Sequence, residues 1–143
     1  MMLPTMKTLC LLSMLTLSTS VLSATNGKLD PPPNAPRAVS SQVAPDHRAY
    51  IAPFVVQGDA KSFFAQLTGV VAKQPRVNIV KQTDLYLKAE FTTAMLRFVD
   101  DVEFVLDAKA GVVHVRSASR IGYYDFNTNR NRIEAIRLQM AVQ

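Results

Sequence analysis

From Val77 to Arg116 the chain changes polarity almost residue by residue, and that two-residue period restricts it to half-buried β-strands. Val77 and Ile79 flank Asn78; Leu85, Leu87, Ala89 and Phe91 alternate with Tyr86, Lys88, Glu90 and Thr92. Val102, Phe104 and Leu106 then alternate with Asp101, Glu103 and Asp107, and Val113 and Val115 with His114 and Arg116. In an extended chain successive side chains point to opposite faces, so each run offers one apolar face to a core and one polar face to water.

Register follows from the same residues. A loop over 108–111 pairs Asp107 with Val112, sets Leu106 by Val113 and Phe104 by Val115, and places Glu103 opposite Arg116. Pairing Phe91 with Phe98 across a loop over 92–97 aligns Leu87 with Val102 and Lys88 with Asp101. Both registers oppose unlike charges, which predicts an antiparallel meander.

The period is helical on either side of this block. Ala60, Phe63, Phe64, Leu67, Val70 and Val71 recur at three- and four-residue steps after Asp59, an expected N-cap, and Pro75 ends that helix. Near the C-terminus Ile133, Ile136 and Met140 form one stripe and Arg130, Glu134 and Arg137 another, with Thr128 as the expected N-cap. The region from Tyr50 to Val56 is rich in β-branched and aromatic residues, and Pro53 limits it to an edge strand or an approach segment. The expected fold is α+β: an antiparallel four- to five-stranded meander covered on one face by an N-terminal-side helix and a C-terminal helix.

Residues 1–24 carry a different signal. Lys7 precedes the apolar run Leu9 to Leu17, and small or polar residues follow to Ala24, which is the layout of a secretory leader with cleavage after Ala24. The run is about half the roughly 20 residues of a spanning helix, although an uncleaved anchor is the alternative if Val21 and Leu22 extend it. Cys10, the single cysteine, lies inside the leader, and Leu9 before it does not fit a lipoprotein signal. The processed chain then has no thiol and no disulfide. Residues 25–45 hold Pro31, Pro32, Pro33, Pro36 and Pro45 and are expected as an extended lead-in, with a solvated linker favoured over docking of Val39 to Gln42. One domain over 46–143 follows. The leader implies a periplasmic or secreted destination with no stable membrane span after cleavage.

The formal charge of +5 on 143 residues is spread along the chain rather than gathered in a block, which argues against nucleic acid as a partner. No glycine-rich phosphate loop and no nucleophile elbow occurs. His47 and His114, without a mature Cys, do not make a zinc set, so neither a metal nor a cofactor is expected.

Several strings carry a resemblance: Val39-Ser40-Ser41-Gln42, Ala89-Glu90-Phe91, Phe98 to Phe104, Val115 to Tyr123, and Asn129 to Glu134. Together they resemble the domain-of-unknown-function family numbered 1499, from about Pro36 to the C-terminus. The resemblance implies membership of a family of bacteria and plastid-bearing organisms and no particular reaction. The chain departs from that family's pattern at Ala38, where a Cys is usual, at Tyr124, where Ser is expected, and at Asn127-Thr128, where Gly-Val is expected.

Asp100 and Asp101 are the one adjacent carboxylate pair in this strand block, but neighbours on a strand point to opposite faces and share a site only at a bulge. By parity Asp100 falls on the apolar face opposite Ser119, where a hydrogen bond to Ser117, Ser119 or Arg120 would satisfy it. Arg116, Arg120, Arg130 and Arg132 gather near Ser117, Ser119, Tyr123, Asp125 and Asn129. Such a corner suits a bound anion, or else pairs internally with Asp100, Asp101, Asp125 and Glu134. Three functions follow: non-catalytic binding of a small anionic or amphipathic ligand or an envelope protein, hydrolysis using Asp100 or Asp101 with Arg120, or an assembly role through the sheet edge near Tyr50 to Val56. The sequence leaves the oligomeric state open.

Overall fold

The computed structural model describes residues 27–142; the expected leader, with Cys10, lies outside them. The order is β1 (Ala38–Ser40), β2 (Phe54–Val55), α1 (Ala60–Ala72), β3 (Val77–Gln82), β4 (Tyr86–Thr92), β5 (Val99–Asp107), β6 (Val112–Ser119) and α2 (Thr128–Ala141). The strands form one six-stranded sheet, with β3, β4, β5 and β6 as an antiparallel meander and β1 and β2 both paired antiparallel to β6. The α+β class, with one helix before the meander and one after it, is as the sequence reads.

The apolar faces of the strands and the helices share one core. Leu87, Ala89, Val102, Phe104, Val113 and Val115 meet Phe64, Leu67 and Val71 of α1 and Ile133 and Ile136 of α2. Asp59 caps α1 as expected, its side chain accepting from the Ser62 amide at 2.8 Å.

The β5–β6 register is the one read from the sequence: Asp107 pairs with Val112, Phe104 with Val115 and Glu103 with Arg116. The β4–β5 register is not. Phe91 pairs with Asp100, Leu87 with Phe104 and Lys88 with Glu103, a slip of two residues from the expected pairing. The cause is a tighter loop: Thr93 and Phe98 close it, with the Thr93 amide on the Phe98 carbonyl at 2.8 Å and the Phe98 amide on Thr93 Oγ1 at 2.9 Å. A two-residue slip keeps every side chain on its face, so the apolar pattern fits either register equally well.

Two further expectations change. The lead-in is not a linker throughout, since Ala38–Ser40 forms β1, Val39 is 4% exposed in the core, and the Ser41 side chain accepts from the Val115 amide at 2.9 Å. α2 begins at Thr128 rather than after it, and Asn127, at the N-cap position with φ +61°, gives no side-chain cap. Asp125 does that work, accepting from the Asn127 amide at 3.1 Å and the Asn129 amide at 3.1 Å.

The polar stripe of α2 holds the chain that leads to α1. Arg130 donates to the Tyr50 carbonyl at 2.8 Å. Arg137 donates to the carbonyls of Ala52 at 2.6 Å and Pro53 at 3.0 Å and lies over the Phe54 ring. These planar donor forks replace the neighbouring strand that Pro53 cannot fully pair with.

Candidate functional site

The candidate site lies at the end of the sheet where β5 begins and β6 ends. Asp100 and Ser119 are opposite each other there, below two loops, residues 93–98 and 120–127. Asp100 is fully buried. Its Oδ2 accepts from Arg132 of α2, and the Arg132 guanidinium lies 4.7 Å from the centre of the Phe91 ring.

Asn129, also fully buried, organises the rest. Its Oδ1 accepts from Ser117 at 2.6 Å and from Arg132 at 2.8 Å. Its Nδ2 amide faces Ser119 Oγ at 2.9 Å, Asp125 Oδ2 at 2.8 Å and the Arg37 carbonyl at 3.1 Å. A helix side chain thereby ties together β6, the loop before α2 and the lead-in. Burying so many polar groups is tolerable because nearly all of them are satisfied.

One is not. Asp100 Oδ1 is buried with no hydrogen-bond partner among the described residues. Asp100 and Ser119 also line a cavity of about 310 Å³ between the two loops. The remaining wall is largely apolar, with Met95, Leu96, Phe98, Ile121, Tyr124 and Phe126. Tyr124 and Phe126 pack edge to face at 5.0 Å.

The other candidate residues lie elsewhere. Asp101 is on the opposite face of the sheet, where Arg120 donates to both of its oxygens at 2.8 Å and also to Glu90. The Arg120 hydrogen bonds hold the Asp101 carboxyl below its ordinary value, and Asp101 and Glu90 raise the guanidinium in return. Arg116 pairs with Glu103 at 3.4 Å on that same face. Glu103 also accepts from the Tyr86 hydroxyl, and burial, then this bond, pushes the Tyr86 pKa up. Arg130 serves the Tyr50 carbonyl, and Tyr123 is 74% exposed and does not line the cavity.

Asp100, Ser117, Ser119, Asp125 and Asn129 are therefore brought together, while Asp101, Arg116, Arg120 and Arg130 are not. The guanidiniums of the corner are engaged with carboxylates or carbonyls. Asp100 and Asp101 face opposite sides of a regular ladder, so they do not form a pair for acid–base work. Among the described residues no three His, Cys, Asp or Glu side chains converge as a metal site. His114, beside Val105 on β5 as the sequence reads, meets Ser41 Oγ at 3.2 Å.

Asp100 takes Arg132 rather than the expected Ser117, Ser119 or Arg120, an instance of the internal pairing read for the corner arginines, whereas the apolar wall has no counterpart in the sequence reading. A signal for the wall is present: Met95-Leu96 and, around Gly122 and Asp125, Ile121, Tyr123, Tyr124 and Phe126 put large apolar and aromatic side chains inside loops, where turn residues are the rule.

A six-stranded antiparallel sheet under two helices, with a buried polar hub and an apolar-walled cavity at one end, defines a class of small α+β domain. The chain belongs to the protein family of unknown function DUF1499, whose model matches residues 28–140. No curated protein matches it. Among the described residues no helix is long and apolar enough to cross a membrane.

Proposed function

We propose that this chain is a non-catalytic binding module of the cell envelope, exported by its leader, that takes an amphipathic small molecule in the cavity between the two loops. The carrying observation is the buried, unpartnered Oδ1 of Asp100, in a residue that lines an apolar-walled cavity. A buried acceptor without a donor is costly, and a ligand bearing an amine or hydroxyl would complete it while its apolar part covers Leu96, Phe98 and Phe126. Pockets of this kind, apolar with a few placed polar groups, are the usual form of a small-molecule site.

The anionic alternative has less support, because Arg116, Arg120 and Arg132 already serve Glu103, Asp101 and Asp100. Native mass spectrometry of the gently purified chain tests the reading. The expected result is a stoichiometric passenger with an apolar portion and a hydrogen-bond donor, reduced in Leu96→Asp, whose side chain is exposed and whose fold is retained. A passenger that is a multivalent anion, or one held equally by Leu96→Asp, would contradict it.

A further inference from the structure

The two loops at the end of the sheet carry an exposed apolar surface that the rest of the molecule does not share. Met95 is 91% exposed, Phe126 80%, Tyr123 74% and Leu96 68%, with Ile121 and Tyr124 beside them. The other exposed large apolar residues, such as Val55, Val80, Leu85 and Leu138, are scattered over separate elements. Single exposed apolar side chains are ordinary, but a contiguous group on two neighbouring loops marks an interaction surface.

Two residues of these loops hold strained backbone. Arg97 has φ +55° and Phe126 φ +53°, in the left-handed region that β-carbon sterics disfavour. Local strain at loop tips is characteristic of segments shaped for contact.

Charge selects the occupant. The loop over 93–98 contains no acidic residue, and Arg97 at its tip makes no hydrogen bond or ion pair among the described residues. Arg76, next to this loop, is exposed with its Nε on the Thr92 carbonyl at 3.0 Å. The carboxylates nearby are occupied: Asp100 by Arg132, Asp101 and Glu90 by Arg120, and Asp125 by amides of the α2 start. Aromatic and aliphatic tips flanked by the unpaired Arg97 and by Arg76, which has no carboxylate partner, match the boundary layer of an anionic bilayer, where amphipathic rings settle at headgroup depth and Arg meets lipid phosphate.

We infer that this end of the domain is a docking surface for an anionic lipid bilayer, with Met95, Leu96, Tyr123 and Phe126 entering the interface and Arg97 on the headgroups. Because the cavity mouth lies between the same loops, docking would bring it against the lipid. Met95, Leu96 and Phe126 also line the cavity, so cavity occupancy is read separately for each variant by native mass spectrometry.

The chain has no Trp, so Phe126→Trp installs a single reporter, and Leu138→Trp on α2 is its control. The probe is sonicated vesicles of phosphatidylcholine with and without phosphatidylglycerol. A blue shift of Phe126→Trp emission with the anionic vesicles, none for Leu138→Trp, and apparent affinity lower by roughly tenfold when Met95→Asp or Arg97→Glu is added to the reporter would support docking. Absence of a shift for Phe126→Trp, equal shifts for both reporters, or a dimer that shields the indole without vesicles would overturn it. A chain that retains its cavity ligand yet shows no shift would overturn docking alone, so the two readings fail separately.

Discussion

Asp100 and Asp101 are chemically identical neighbours whose surroundings give them different consequences. Asp100 and Arg132 form a buried pair, with side chains 1% and 11% exposed, so removing one partner strands a charge in the core. Arg132→Met is expected to cost about 3–5 kcal/mol in urea unfolding. Asn129→Ala, which breaks five contacts at one hub, is expected to cost at least about 2 kcal/mol by the same measurement. Asp101 acts instead through pH. Its folded carboxyl titrates below the ordinary 3.8 because Arg120 hydrogen-bonds it. Between the folded value and 3.8 the unfolded chain binds more protons. Stability from this group is therefore complete above that window and is lost as pH falls through it. Arg120→Gln should return the Asp101 titration, followed by carboxyl NMR, to its ordinary position and flatten the acid limb of the stability curve.

At the scale of the elements, the four meander strands and both helices are legible in the sequence because a period of two or of 3.6 needs only local residues. What was not legible depends on a third partner. Opposing Lys88 to Asp101 satisfies the β4–β5 pair by charge, yet the structure opposes Glu90 to Asp101 and reconciles the two carboxylates through Arg120 from the end of β6. No pairwise rule on β4 and β5 contains that residue. Likewise the Asn127-Thr128 turn hides its cap in Asp125, and the Pro-rich lead-in conceals a strand that pairs with distant β6 and, through Ser40, bonds Ala49 and Ile51. If β1 is part of the core, Val39→Ala lowers stability by about 2 kcal/mol in thermal or urea unfolding. A solvated segment would leave it unchanged.

Seen as a whole molecule, the sheet separates tasks between its ends and faces. One face packs on α1 and α2, the other pairs its charges among Glu103, Arg116, Glu90, Asp101 and Arg120 with Arg116 Nε left over, and the loop end gathers the apolar surface, the cavity and the unpartnered Asp100 oxygen. The site was half legible in the sequence: parity placed Asp100 opposite Ser119 on the core face, but which Arg would reach it depended on how α2 crosses the sheet. The central claim is that Asp100 makes the cavity select a donor head group on an apolar tail. Native mass spectrometry with equal concentrations of octylamine and octanoate, below their aggregation limits, tests it most directly. A one-to-one adduct with octylamine, weak or absent with octanoate and lost in Leu96→Asp, is the predicted result. Preference for octanoate, or retention of neither probe, would contradict it.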